Sequence, residues 1–298
     1  MKLLVTGAWQ CAKEQLNTLR ALGHDVFFLQ NEKDELPCAY GEVQGIICNG
    51  LFLHHPIEKF SSLKFVQLTS AGYDRMPMEY AKKAGIRVYN AENTYSVPMA
   101  ETALCGVLDL YRKSRFFYEN QKAQKWEKNR DLKELFGKKV CVVGCGSVGV
   151  ECAKRFQAFG CEVVGVTRTK KDREPFDKVF GLNELSNVLP KADIVVVAIA
   201  LSKETEKLFS KERFAQMKEG SVFVNLARGG LVEETALIQA LETKLYGAVL
   251  DVFENEPLEE SALWKMENVI LTPHNSFVGE GNGERLSQVI LKNLRTEG

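Results

Sequence analysis

A chain of 298 residues, 45% hydrophobic and 26% charged with zero formal net charge, has the balance of a folded globular protein and length for two ordinary domains. That balance excludes the basic surplus of a nucleic-acid binder and the acidic surplus of a solvated arm. No apolar run approaches the ~18 residues needed to cross a bilayer, so no membrane helix is expected.

The opening MKLLVTGAW lacks the long apolar core and cleavage pattern of a signal peptide. It reads as a strand entering an ordinary βα turn at Gly7, with Cys11 and Ala12 beyond. Short β-rich runs follow at 26–29, 45–48, 65–68 and 87–90, and again at 139–143, 162–166, 194–198, 221–225, 248–251 and 269–271. Helix-length amphipathic stretches separate them. Continuous apolar strands are buried on both faces, so an α/β fold with parallel sheets is expected. Between the halves lies one long predicted helix, 98–121, capped by Ser96, with Pro98 in its first turn. Its stripe of Met99, Ala103, Val107 and Leu110 reads as core at the seam of two domains. Two such halves imply a cleft that holds a ligand.

Cys11, Cys38, Cys48, Cys105, Cys141, Cys145, Cys152 and Cys161 form no CxxC pair. In a long chain without an export signal they point to reduced thiols and a cytoplasmic location. Histidine is scarce. His54 and His55 are adjacent but have no third ligand at useful spacing, so no metal is expected.

The strongest local pattern is KKVCVVGCGSVGVECAKRFQAFG. A strand runs into Gly144-Cys145-Gly146-Ser147-Val148-Gly149, and a helix follows. Gly144 permits the tight turn, Gly146 lets backbone approach a pyrophosphate, and Gly149 packs helix on strand. The pyrophosphate then lies at the helix N-terminus. Cys145 reads as a small filler within the loop. About 20 residues on, an acid would bind a ribose 2′-hydroxyl and select NAD. Here the sequence has Thr167-Arg168-Thr169-Lys170-Lys171, with no carboxylate. Arg168 suits a 2′-phosphate, with both hydroxyls and Lys170 adding donors, so NADP is favoured over NAD.

Three later segments each end a predicted strand: VNLARGG, LDVFENEP and LTPHN. They carry Arg228, Glu256 and His274 to the edge where open α/β sheets bind ligands. Reduction of a 2-keto acid wants those residue types. An Arg fork holds the carboxylate and polarises the keto oxygen. A His, with an ordinary pKa near ~6.5, delivers the proton. A Glu on its other nitrogen orients the ring and keeps the acid form available.

With the order and spacing of the glycine loop, VNLARGGLVEETALIQAL, GAVLDVFENEPL and NVILTPHNS, the chain resembles the D-isomer-specific 2-hydroxyacid dehydrogenase family, which includes glyoxylate and hydroxypyruvate reductases. The resemblance implies that Arg228 binds substrate, that Glu256 pairs with His274, and that His274 is the acid/base. It implies that Asp251 holds the nicotinamide carboxamide and that Ala227 lines the cofactor. In LTSAGYD, Ala71 and Gly72 would hold the substrate carboxylate through backbone N–H groups. Glu101 would serve the helix N-terminus and hinge. The implied architecture is two doubly wound parallel-sheet domains: a flavodoxin-like substrate domain (1–93 with 277–298) and a Rossmann-like cofactor domain (94–276). It also implies a homodimer built through the cofactor domain, D-stereospecificity, and a small 2-keto acid such as glyoxylate or hydroxypyruvate as substrate. Departures are the missing acid and Asn275-Ser276-Phe277 after the histidine, where many members have smaller residues. Two alternatives share the triad: dehydrogenases of non-ketoacid substrates, and dinucleotide-sensing corepressor-like proteins, against which the lack of a long appended tail argues.

Overall fold

A computed structural model describes residues 1–10 and 12–297. In chain order the elements are β1 (Lys2–Thr6), α1 (Ala12–Ala21), β2 (Asp25–Leu29), β3 (Gly45–Cys48), β4 (Phe65–Leu68), α2 (Met78–Lys83) and β5 (Arg87–Tyr89). Next come α3 (Ser96–Arg112), α4 (Ser114–Lys122), β6 (Lys139–Val143), α5 (Ser147–Ala158), β7 (Glu162–Thr167), β8 (Lys178–Gly181), α6 (Leu185–Val188) and β9 (Ile194–Val197). The chain continues with α7 (Lys211–Gln216), β10 (Val222–Asn225), α8 (Glu234–Thr243), β11 (Gly247–Leu250), β12 (Val269–Leu271) and α9 (Asn282–Glu297). It divides into two compact units: one of residues 1–95 together with the segment from Gly279 through α9, the other of residues 96–278.

The smaller unit has a parallel sheet ordered β2-β1-β3-β4-β5, the flavodoxin-like order. Its runs GIIC and FVQL are buried at every residue, as strands covered on both faces must be. One cover is α9, which sets Leu286, Ile290 and Leu294 against Leu3, Val5, Ile47 and Phe65. Two polar bonds fix its register. The Trp9 indole donates to Ser287 Oγ at 3.1 Å, and Asn293 donates to Gln67 Oε1 at 2.8 Å.

The larger unit has seven parallel strands ordered β12-β11-β10-β9-β6-β7-β8. Alternate residues of β9 feed two cores. Val195 and Val197 join Phe209, Phe214 and Phe223, while Ile194 and Val196 join Ala103, Val107 and Phe156. Strand order reverses between β6 and β9, which makes that point the natural ligand crevice of such a sheet.

Three local expectations change. The predicted helix 98–121 is two helices, broken at Lys113, whose φ of +51° is left-handed. The break falls where the apolar stripe stops: α3 buries Ala103, Val107 and Tyr111, whereas α4 buries nothing. Those α3 residues are core of the larger unit. Ser96 stands as the first helical residue of α3 instead of preceding it. Strand β8 carries only KVFG on the sheet edge, too short and too polar to announce itself. Among the described residues seven cysteines are free thiols, and Cys11 lies outside the described residues. Among the described residues no helix is long and apolar enough to cross a membrane.

Helix α3 lies close on β11 because residue 106 has no side chain. A Cβ there would sit 2.6 Å from Val249 Cγ1. Gly106→Val should therefore cost roughly 1–3 kcal/mol through overpacking. A thermal melt should show the loss, with partial recovery when Val249→Ala is added. An unchanged melting midpoint for the single variant would contradict this packing.

Candidate active site

The glycine loop joins β6 to α5 at the strand-order reversal. Gly144 has φ +112°, and a Cβ there would lie 2.4 Å from the backbone of Ala198 and Ile199, just past β9. Gly149, in the first turn of α5, would place a Cβ 1.9 Å from the Gly144 carbonyl oxygen. These two glycines are required by the protein itself. Gly146 is not. Its φ is −74°, open to any residue, and a Cβ there would meet nothing within 4 Å. The missing side chain at Gly146 leaves the helix start open to an outside group. No side chain caps the N-terminus of α5, so the N–H groups around Ser147 and Val148 are available to an anion. The loop thus fits the pyrophosphate of a dinucleotide. Cys145 is buried against Gly165, and burial pushes its thiol up to about 11, so it stays protonated at neutral pH.

Strand β7 ends at Thr167, with Arg168 and Thr169 exposed just beyond. Lys170, read as an extra donor, already has a carboxylate partner. Its ammonium pairs with Glu184 at 3.0 Å, an acid that also accepts the Gly181 N–H. The Gly181 hydrogen bond first, then Lys170, hold Glu184 below the usual carboxylate range. Sequence reading missed Arg173, whose guanidinium donates to the Cys145 carbonyl inside the glycine loop.

The carboxyl ends of β10, β11 and β12 lie side by side, with Asn225 level with Leu250 and Leu250 level with Leu271. The Asn225 side chain shapes the first turn, accepting from Ala227 N–H at 3.1 Å and donating to the Arg228 carbonyl at 3.0 Å. Both backbone groups of Ala227 are taken, since Arg228 Nη1 donates to its carbonyl at 2.7 Å. A Cβ on Gly229 would lie 1.9 Å from the Phe253 carbonyl, so the Arg228 turn rests directly on the turn that carries Glu256. Glu256 Oε1 accepts the Phe253 N–H at 3.0 Å, and Oε2 stands 2.7 Å from His274 Nδ1. A carboxylate only accepts, so Nδ1 carries the proton and Nε2 is left for chemistry.

His274 itself is left-handed, φ +50°, an uncommon state for a residue with a side chain. Its N–H donates to the Asp251 carbonyl at 2.8 Å and to the Thr272 carbonyl at 3.0 Å. The fully buried Asp251 carboxylate accepts from Thr272 Oγ1 at 2.6 Å, Asn275 N–H at 2.7 Å, and both the N–H and hydroxyl of Ser276. Its carboxylate thus points into the histidine turn. The Thr, Asn and Ser flanking His274 were the signal, readable as donors in search of an acceptor. Phe277 stands edge-on to the imidazole, ring centroids 6.1 Å apart.

In the smaller unit, Ala71 and Gly72 follow β4. Their carbonyls are occupied, by Asn90 at 2.7 Å and Ser70 at 2.9 Å. Their N–H groups find no acceptor among the described residues. Glu101 pairs with Arg155 on α5 at 3.1 Å. His55 is buried against the Tyr40 hydroxyl at 2.8 Å, and among the described residues no group of three or more His, Cys, Asp or Glu could hold a metal.

The two kinds of glycine separate by experiment. Gly149→Val should destabilise the fold, because its contact is unyielding backbone. Gly146→Ser should leave the melting midpoint unchanged or raised, since serine caps helices well. The same change should weaken dinucleotide binding about tenfold or more, a clash of at least ~1.4 kcal/mol. Full binding by Gly146→Ser in a fluorescence titration would sink the reading of Gly146 as a ligand approach.

The model of the family described as "D-isomer specific 2-hydroxyacid dehydrogenase, NAD binding domain" matches residues 104–276. The chain is 32% identical over 246 residues to a glyoxylate reductase of Pyrococcus horikoshii, covering 80% of this chain and 74% of that one. A hydroxypyruvate reductase of Thermotoga maritima is 32% identical over 251 residues, covering 82% and 81%. Among solved structures, a D-isomer specific 2-hydroxyacid dehydrogenase from Xanthobacter autotrophicus in complex with NADPH and MES superposes with TM-score 0.80 at 30% identity, covering 99% of this chain and 93% of that one. A glycine loop built for a dinucleotide, a His–Glu pair at adjacent strand ends and a family match across more than half the chain lead to one conclusion: the chain belongs to the D-isomer-specific 2-hydroxyacid dehydrogenases, NAD(P)-dependent oxidoreductases of 2-hydroxy acids.

Proposed function

We propose that this protein reduces a small 2-keto acid of the glyoxylate or hydroxypyruvate type to the D-2-hydroxy acid, using NADPH. The observation that carries the chemistry is the 2.7 Å contact between His274 Nδ1 and Glu256, which leaves Nε2 as the proton donor. The substrate class is supported by the glyoxylate and hydroxypyruvate reductases among the relatives. The coenzyme is supported by the acid-free end of β7 and by the NADPH held in the Xanthobacter structure.

Bound reduced nicotinamide supplies the hydride that adds to the keto carbon. Everything else falls to the protein. Arg228 grips the substrate carboxylate and draws electron density toward the keto oxygen. The N–H groups of Ala71 and Gly72, which find no acceptor among the described residues, suit a carboxylate. His274 gives its Nε2 proton to the oxygen as charge develops there. Glu256 fixes the ring and balances the imidazolium, the form from which Nε2 donates in the reduction and which re-forms when the reaction runs in reverse. Asp251 acts as a positioning residue, holding the turn that forces His274 into its left-handed state. Thr167, Arg168 and Thr169 take the adenosine 2′-phosphate.

Oxidation of NADPH and of NADH should be followed optically with glyoxylate, hydroxypyruvate, pyruvate and a phenyl-bearing 2-keto acid. NADPH with one of the first two acids should give the highest kcat/KM. Equal use of NADH would refute the coenzyme assignment. His274→Asn should lower kcat by about 10²–10⁴ with little change in KM, as expected for a group acting in the transition state. Arg228→Lys should raise KM and lower kcat together, because an ammonium cannot reproduce the two-pronged fork. Turnover by His274→Asn at the parental rate would assign the proton to another group.

A further inference from the structure

Between β7 and β8 the chain carries Arg168, Lys170, Lys171 and Arg173 within six positions. Such a run is usually a solvated loop, and part of this one is spoken for. Lys170 is paired with Glu184 at 3.0 Å, and its ammonium also lies 5.9 Å from the centre of the Phe180 ring. Arg173 is different. Its Nη1 reaches back 28 residues in sequence and donates to the Cys145 carbonyl, at the centre of the glycine loop.

The backbone behind Arg173 is anchored. The Phe176 N–H closes a turn on the Arg173 carbonyl at 3.1 Å, and the Phe176 ring is buried against Gly165. The Pro175 carbonyl accepts from Gln157 of α5 at 2.6 Å. Asp177 is tied to Val163 both ways, its N–H donating to the Val163 carbonyl at 2.9 Å and its carboxylate accepting the Val163 N–H at 2.6 Å. The guanidinium is therefore delivered to one place from a fixed base. In such a unit the pyrophosphate lies at the glycine loop and the ribose 2′-position at the end of the next strand, here Thr167, so the adenosine ribose spans the two. Arg173 touches the first of those two features, and Arg168 extends from the second.

We propose that Arg173 is the second guanidinium of the adenosine 2′-phosphate subsite, standing opposite Arg168 and held in readiness by the Cys145 carbonyl. This rests on the NADPH reading above. A bond to a neutral carbonyl uses one of five N–H donors. Hydrogen bonds to a phosphate are charge-assisted and about twice as strong as those to a neutral acceptor, so the side chain turns to the phosphate when it is present. Two arginines flank the phosphate, while Lys170 is paired with Glu184.

The competing role is a staple: Arg173 simply ties its loop to the glycine turn. Direct binding separates the two without any turnover. Affinities for NADPH, NADH, 2′,5′-ADP and 5′-AMP should be measured by calorimetry on the full chain and on Arg173→Gln and Arg173→Lys, each checked by thermal melt. Arg173→Gln should weaken NADPH and 2′,5′-ADP by about 10- to 100-fold while leaving NADH and 5′-AMP within about twofold. Arg173→Lys, which keeps the charge and loses the fork, should fall between. Equal losses for all four ligands make Arg173 a staple, and losses confined to NADPH and NADH make it a pyrophosphate contact; either overturns the inference. Retained NADPH preference in Arg173→Gln overturns it too, while sparing the coenzyme reading. A parent protein that binds 2′,5′-ADP no better than 5′-AMP overturns both.

Discussion

A carboxylate taken out of water must be surrounded by donors, or it costs several kcal/mol. Asp251 meets that demand with the turn that follows β12. Thr272, Asn275 and Ser276 all donate to it, and residue 274 is left at the crown of the turn with no choice of conformation. The left-handed backbone of His274 is thus sustained by a buried charge next door. The imidazole is then aimed at Glu256, which is itself fixed by the Phe253 N–H. An imidazole on a loop is thereby tied to the sheet, because Asp251 and Thr272 directly follow β11 and β12.

Parallel strands make that possible. In a parallel sheet every carboxyl end lies on the same edge, so segments distant in sequence arrive as neighbours. Arg228, Glu256 and His274 follow three adjacent strands, and Gly229 lets two of the turns touch through backbone alone. Gly144 does the same at the reversal between β6 and β9, bringing the glycine loop against the end of β9. Close approach, purchased with missing side chains, is what converts a sheet edge into a site.

Much of this was readable in the sequence. Runs such as VVGVT and VFVN announce buried strands, and LTPHN after such a run places a histidine at a strand end. The glycine loop was legible because residue type, spacing and flanking strand all agree. What the sequence could not show were bonds that depend on tertiary distance. Nothing in REPFD says that Arg173 returns to Cys145, and nothing in TKK says that Lys170 turns to Glu184. The break at Lys113 was hidden for another reason. Residues 114–122 contain neither Gly nor Pro, so no local breaker marks where burial ends. Strand β8 failed the opposite test, with too few apolar residues for its period to register.

The path of the chain has a consequence for biosynthesis. The smaller unit is left after β5 and re-entered only by α9, so the larger unit is an insertion within it. A ribosome releases the whole of the inserted unit before the last helix exists. Until then the face of the smaller sheet formed by Leu3, Val5, Ile47 and Phe65, with the Trp9 indole, waits without Leu286, Ile290 and Leu294 to cover it. The sheet that begins first is covered late, and until then its apolar face is open to wrong associations.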